Sequence, residues 1–576
     1  MAKYDRYPET KIENYQGAWA GYEAIVTELR KHIGKGKKTV VIESYIGIDN
    51  NEICKNLIES LQPEKIIFAD DLAFDTEKIN QMVERDLIPE DRVFGLLTHY
   101  EIRDFFDSNV LKKTKEEIDQ IEGLTVIYGT GASLITKGDI LIYADLARWE
   151  AQIRYRTGGT NWKIENSEED ILKKYKRGYF FEWRISDKLK QQLHSSINYL
   201  LDTNRKNDPA MVSGEDYRHG LEVVVSQPFR GVPYFDASVW GGTWMEEKFD
   251  LEHIDKNYGW AFDGVPEENS LYLKYGDVRI EVPSINVVHQ YPDELLGPKV
   301  HSRFGKEFPI RFDYLDTMNG GNLSLQVHPL TEYIQEKFGM HYTQDESYYI
   351  LDADEGATVY LGVKENIKLD DMVNDLKKAQ DGEYIFPDEK YINCFPARKH
   401  DHFLIPAGTV HCGGTGVVVL EISATPYIFT FKLWDWGRIG LDGKPRPVHI
   451  EHGKENIQTN RDTKWVQENL INNVQIVDEQ EGHKEERTGL HKLEFIETRR
   501  HWFNEPIVLS TKESVNMLNL IDGEEAVVES IDGSFTPYEV HYGETFIIPA
   551  HIGRYRIVPK SPQDKKLAIM QAYVRA

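Results

Sequence analysis

The sequence predicts a multidomain protein: an N-terminal α/β domain built on a doubly wound parallel sheet, then all-β jelly-roll domains with a helical insertion. Three observations carry this expectation. The chain has 576 residues, too many for one hydrophobic core. Residues 38–202 alternate short apolar runs with helix-like stretches, the βαβ pattern of a parallel sheet. After about residue 205, Gly and Pro punctuate short alternating strands, as in antiparallel double sheets.

The first strands are expected at 38–43 (KTVVIE), 65–70 (KIIFAD), 125–128 (TVIY) and 139–145 (DILIYAD), with helices such as 50–61 and 114–121 between them. Runs that are apolar throughout suit strands buried on both faces. In such a sheet ligands sit at the carboxyl ends of the strands. The β-region opens with PFRGVPYF and SVWGGTW. It continues through NSLYLKYGDVRIEVPS, NLSLQVHP, ESYYILDADEGATVYLGV and DHFLIPAGTVHCGGTGVVVLEIS. A polar, partly helical insertion occupies 366–391, and the charged run 478–487 (DEQEGHKEER) reads as an exposed linker. Beyond it, VNMLNLIDGEEAVVE and EVHYGETFIIPAHIGRYRIV make a further short β-barrel pattern. The expected division is therefore 1–205, 206–477 with the insertion, and 478–576.

The formal net charge of −27 argues against nucleic acid or an anionic membrane as a main partner. Three cysteines, Cys54, Cys394 and Cys412, exclude a disulfide framework and a four-thiolate zinc site. The polar start MAKYDRYPETKIENYQG lacks a signal-peptide apolar run, and no window reads as a membrane span. The expected setting is the reducing cytoplasm.

The turn after the first strand is where a phosphate-binding loop would sit. Such a loop needs glycines, a lysine and a hydroxyl. Residues 43–51 read Glu-Ser-Tyr-Ile-Gly-Ile-Asp-Asn-Asn, with one glycine, no lysine, and carboxylates where phosphate would lie. The spacing, with the later TVIYGTGASL and DILIYADLARWE, resembles P-loop kinases of the uridine-kinase type in topology. The charge-bearing residues of that family are lost, so the domain is expected to be a degenerate P-loop domain, structural or oligomerising, without kinase activity; the alternatives are a small-molecule sensor or a divergent catalytic domain. A homo-oligomer is compatible with that role. The acidic pair Asp70 and Asp71 is a candidate for Mg²⁺, against the commoner reading of solvated strand-end carboxylates.

The most informative run is 326–329, Gln-Val-His-Pro. On a strand, positions i and i+2 share a face, so Gln326 and His328 point the same way. Glu346 opens DESYYIL, and His411 follows a Pro-Ala-Gly turn. One amide oxygen, two imidazoles and one carboxylate suit Zn²⁺ or another divalent transition metal. The lack of thiolate favours a catalytic site with an open position.

The chain from about 232 to 576 resembles the class I mannose-6-phosphate isomerases of the short bacterial type, which have the cupin fold. The matching runs are VWGGT at 239–243, Phe308-Pro309, Leu315-Asp316, LSLQVHP, DESYYIL, IPAGTVHCGGTGVVVLEIS, Trp434-Asp435-Trp436, GKPRPVHI and the late YGETFIIPA. The resemblance implies that Gln326, His328, Glu346 and His411 are the zinc ligands. It also implies that the final segment is a second, metal-free cupin unit. Three positions depart from the family pattern. Its phosphate-contacting Lys becomes Asp313, and Arg311, two residues earlier on the same face, is expected to compensate. The family phosphate contact Ser324 is kept. In the run after the last ligand, the catalytic Arg becomes Lys432 and an Asp becomes Ile428.

Aldose–ketose isomerisation needs a Lewis acid, a base for the C–H proton and a cation against the enediolate. Lys432 is the expected cation; His341, Glu421 and a metal-bound hydroxide are the candidate bases. The expected function is a metal-dependent aldose–ketose isomerase on mannose-6-phosphate and fructose-6-phosphate or a related sugar. The alternatives are an altered cupin that binds sugar as a regulatory protein, and a cupin that keeps the metal for other chemistry such as epimerisation, sugar lyase or oxygenase work. The expected partner is a small sugar or sugar phosphate.

Overall fold

The computed structural model describes residues 4–36, 38–380, 384–424, 429–440, 443, 446–489, 494–560 and 566–575. The chain forms two compact units, each with its own sheets and core. An α/β unit comprises Glu9–Val224 and Ser270–Gln290. A β-rich unit comprises Met1–Pro8, Val225–Asn269 and Tyr291–Ala576.

The α/β unit is built on a seven-stranded sheet. Its order is Ala18–Ala20, Ala210–Ser213, Tyr199–Asp202, Ile140–Asp145, Thr39–Ser44, Thr125–Gly129, Lys65–Phe68. The last five run parallel. The first two are added antiparallel at one edge, which the sequence reading did not foresee. The three central strands are buried along nearly their whole length, which is why they read as continuous apolar runs. The helix after Thr39–Ser44 starts at Asn50, where the Asp49 carboxylate accepts from the Glu52 N–H, and it contains one wide turn at Cys54–Ile58. The helix expected at 114–121 runs instead over Ser108–Ile118. It starts earlier because the Asp107 side chain caps the Asn109 N–H.

The unit is completed from a distant part of the chain. Ser270–Tyr275 and Val278–Pro283 form a hairpin that pairs with Glu9–Lys11. Thus NSLYLKYGDVRIEVPS, expected among the strands of 206–477, packs with the N-terminal unit.

The β-rich unit holds two double-sheet barrels. In the first, a six-stranded sheet runs His402–Ile405, Glu346–Ala353, Val417–Ala424, Ile310–Asp316, Tyr258–Gly264, Tyr234–Gly242. The opposing sheet runs Ile392–Pro396, Thr358–Val363, His411–Gly413, Leu325–Val327, Phe431–Trp434. All these pairings are antiparallel. The insertion carries the helices Leu369–Gln380 and Asp388–Tyr391. The second barrel closes six strands from 475 onwards against four, around a core of Leu518, Leu520, Phe546, Tyr555 and Ile569.

One expectation is corrected here. The charged run 478–487 is not a linker but lies in a β-hairpin, Gln475–Gln480 with His483–Gly489, at the edge of the second barrel. Glu481-Gly482 makes its turn, with Gly482 at φ 81°. The outer strand is exposed along its whole length, so its residues show no polar–apolar alternation to betray it.

Candidate metal centre

The register of the first barrel decides what faces inward. Residues directly opposite on neighbouring strands point to the same face. Gln326 lies opposite His411 on one side and Lys432 on the other. In the facing sheet, Glu346 pairs with Ser423, which pairs with Arg311; Tyr348 pairs with Glu421, which pairs with Asp313. Glu346 approaches His328 and His411 across the barrel, so Arg311, Asp313 and Glu421 share the inner face with it.

The centre itself is compact and buried. His328 Nε2 lies 3.1 Å from Glu346 Oε2, and His411 Nε2 lies 2.7 Å from Glu346 Oε1. One ligand atom from each of the three lies within 4.8 Å of the others. His328 Nδ1 faces the Phe429 carbonyl at 3.0 Å and His411 Nδ1 faces that of Thr409 at 2.9 Å. Those carbonyls favour the Nδ1–H tautomer and aim both Nε2 lone pairs at the centre. Both Nε2 atoms and Glu346 Oε1 are buried without a well-formed hydrogen bond. Three orphaned acceptor atoms converging on one point fit a dication. Gln326 accepts from Thr430 Oγ1 at 3.0 Å.

Charge shapes the surroundings. Burial alone would raise Glu346, yet His328 and His411 hold it well below the ordinary carboxylate range. Burial likewise opposes charge on His328, but Glu346 tips it upward. Arg311 donates to Asp313 Oδ2 at 2.6 Å, and both are buried. Around that one guanidinium, burial pushes Asp313 up to about 7. Burial, with Asp313 and Glu346 beside it, pushes Glu421 well above its ordinary value. Gln344 Nε2 donates to both Glu346 and Glu421, each at 3.3 Å. Lys432 is half-buried, and desolvation, with Arg446 and Arg438 nearby, lowers its ammonium to about 7. Ser324 donates to Asp435 Oδ1 at 2.6 Å, a carboxylate that also takes Arg438 and Arg446.

The structure thus brings together His328, Glu346 and His411, with Gln326, Lys432 and Arg311 on inner faces of the same barrel. His341 stands apart as an exposed side chain against Glu307. Ile428 lies outside the described residues. Sequence reasoning missed the Arg311–Asp313 ion pair and the Gln344 bridge. The i, i+2 spacing of 311 and 313 was the available signal.

Residues 21–226 match a family described as a domain of unknown function, DUF8485. The mannose-6-phosphate isomerase of Streptococcus mutans is 27% identical over 215 residues, 37% of this chain and 62% of that protein. The probable mannose-6-phosphate isomerase GmuF of Bacillus subtilis is 23% identical over 332 residues, 56% of this chain and 94% of that protein. The crystal structure of a mannose-6-phosphate isomerase from Bacillus subtilis superposes with a TM-score of 0.50 at 18% identity. It covers 60% of this chain and 100% of that one. This likeness gives the fold: over 60% of its length the chain shares the cupin architecture of that isomerase. Among the described residues no helix is long and apolar enough to cross a membrane.

Proposed function

We propose that the first barrel is a metal-dependent aldose–ketose isomerase, interconverting mannose-6-phosphate and fructose-6-phosphate or a related sugar. The observation that carries the reading is the buried His328–Glu346–His411 trio, its acceptor atoms unsatisfied, on a fold like that of a mannose-6-phosphate isomerase. Gln326, His328, Glu346 and His411 would hold Zn²⁺ or another divalent transition metal, whose chemistry when bound is to polarise the sugar's carbonyl and hydroxyl oxygens. Lys432, opposite Gln326 in register, supplies positive charge against the developing enediolate. Its compact ammonium lacks the bidentate fork of the arginine in the resembling family. Glu421 shares the inner face with Glu346. It, rather than the surface His341, is therefore the side chain for moving a proton between C1 and C2. Arg311 and Ser324 contact the substrate's distal end. Both are already held by carboxylates, Asp313 and Asp435, so a phosphate meets a cation whose charge is shared. Reduced preference for phosphorylated sugars follows.

The test pairs metal analysis with turnover. The purified protein should carry about one transition metal per chain, and His328→Ala with His411→Ala should remove it. Wild type should interconvert an aldose and its ketose in a chelator-sensitive reaction, across a panel of free and phosphorylated sugars. Full metal occupancy in the double variant overturns the ligand assignment. A second reading, a sugar-binding regulatory cupin, is favoured by the Asp313 and Lys432 departures. Saturable sugar binding at this site without turnover selects it.

A further inference from the structure

A cavity of about 750 Å³ lies in the α/β unit, in the size range of small-molecule sites. It opens at the carboxyl ends of the parallel strands. Its lining comes from the turn after Thr39–Ser44, from Asp70 after Lys65–Phe68, from Thr130 after Thr125–Gly129, and from the segment after Ile140–Asp145. The location has a topological cause. Thr39–Ser44 and Ile140–Asp145 are neighbours. From the first, the chain continues to Lys65–Phe68 at one edge. From the second, it continues to Tyr199–Asp202 on the other side. Connections that diverge from adjacent strands leave a crevice between them.

The chemistry of the crevice is set by what fills its donors. The backbone after Thr125–Gly129 turns through Gly129 at φ 123° and Gly131 at φ 86°. Its amides point not at an open space but at the protein's own Glu43: Gly131 N–H and Ser133 N–H each donate to that carboxylate at 2.7 Å. The Glu52 N–H is likewise taken by Asp49 at 3.1 Å. These three amides are occupied from within. The lining then adds five carboxylates, Asp49, Glu52, Asp70, Glu150 and Glu165, against three cations. Two of those cations are committed. Arg154 bonds Glu150 at 2.9 Å, the Gly47 carbonyl at 3.3 Å and the Thr203 carbonyl at 2.5 Å. Lys163 Nζ bonds the Asp70 carbonyl at 2.7 Å. A phosphate entering here meets five carboxylates against three cations. Hydroxyl groups meet acceptors, and Tyr155 and Trp162 give the wall apolar surface.

We propose that this cleft binds an uncharged polyhydroxylated ligand, a free mono- or disaccharide, and discriminates against its phosphorylated counterpart. The proposal stands independently of the metal centre. The full-length chain carrying His328→Ala and His411→Ala separates the two sites. Calorimetric titration of that variant with D-mannose, D-fructose, D-glucose, myo-inositol and maltose should show saturable binding of at least one. The 6-phosphate of any sugar that binds should bind at least roughly ten-fold more weakly. Thr160→Trp, at an exposed lining position, should weaken that binding about ten-fold or more and leave metal content in the otherwise wild-type chain unchanged. Mg²⁺ alone and Mg²⁺-ATP should give no saturable heat. The proposal is overturned if Mg²⁺, Mg²⁺-ATP or a sugar phosphate binds more tightly than every neutral probe. It is equally overturned if no neutral probe saturates below about 10 mM, or if Thr160→Trp changes nothing.

Discussion

Asp313 shows how far one residue's meaning depends on its neighbour. In the sequence it is a carboxylate where the resembling family has a lysine, and so a source of repulsion. In the structure it is one half of a buried pair, 2.6 Å from Arg311, with both groups on the strand Ile310–Asp316. Breaking such a pair leaves an uncompensated buried charge and costs about 3–5 kcal/mol, whereas replacing both partners with apolar groups is often near neutral. Arg311→Met should therefore lower unfolding stability at pH 8 by about 3–5 kcal/mol, and adding Asp313→Leu should restore most of the loss. Urea unfolding of the two single variants and the double completes the cycle. Strictly additive losses would show that the two side chains do not act as a pair. The QxH spacing was legible as a shared face for Gln326 and His328, and the structure gathers His328 with Glu346 and His411 from other strands. The Arg311–Asp313 pair has the same spacing, but spacing does not reveal whether two opposite charges meet a substrate or each other.

The strands were legible where burial is uniform. The runs at 38–43, 125–128 and 139–145 became Thr39–Ser44, Thr125–Gly129 and Ile140–Asp145, because strands covered on both faces leave no choice of residue type. The hairpin at 475–489 was not legible, since an exposed edge strand tolerates any polar residue. Strand interiors also hold a feature no pattern announces. His402 and His501 are buried in the two six-stranded sheets of the β-rich unit. Burial, aided by Arg500 at His402, lowers His402 to about 3. Burial also lowers His501 to about 3, against the hydrogen bond its Nε2–H donates to Gln571 Oε1. In the unfolded chain these imidazoles take a proton near pH 6.5, which the folded state refuses until about pH 3. The contribution of these two groups is therefore full above pH 6.5 and is lost as pH drops from there toward 3. Each group contributes up to about 1.4 kcal/mol per pH unit. His402→Phe should flatten this slope: its urea midpoint should fall less than that of wild type between pH 7 and pH 5. Equal pH slopes in variant and wild type would show that His402 is not held neutral.

At the scale of the whole chain, the sequence announced a change of texture near residue 205 but not where the compact units end. The hairpin of Ser270–Tyr275 and Val278–Pro283 reads like any other strand pair of the β-region, yet it belongs to the α/β unit. There Leu271, Leu273, Tyr275, Ile280 and Val282 are buried. Asp202 Oδ2 accepts from the Glu281 N–H at 2.8 Å, and Asn286 Nδ2 donates to Asp145 Oδ2 at 2.9 Å. Five buried apolar side chains at about 1.5–3 kcal/mol each match the entire stability of an ordinary domain, about 5–15 kcal/mol. A fragment of 1–205 forfeits them. It also lacks Ala210–Ser213, the strand that joins Ala18–Ala20 to Tyr199–Asp202. Cut at the texture change, the α/β unit should therefore lack a cooperative urea transition and expose apolar surface to a dye such as ANS. A chain running 9–224, a flexible Gly/Ser linker and then 270–290 retains every strand of both sheets and should unfold in one sharp transition. If 1–205 alone unfolds as cooperatively as the linked chain, the distant hairpin is an ornament on a self-sufficient domain rather than part of its core.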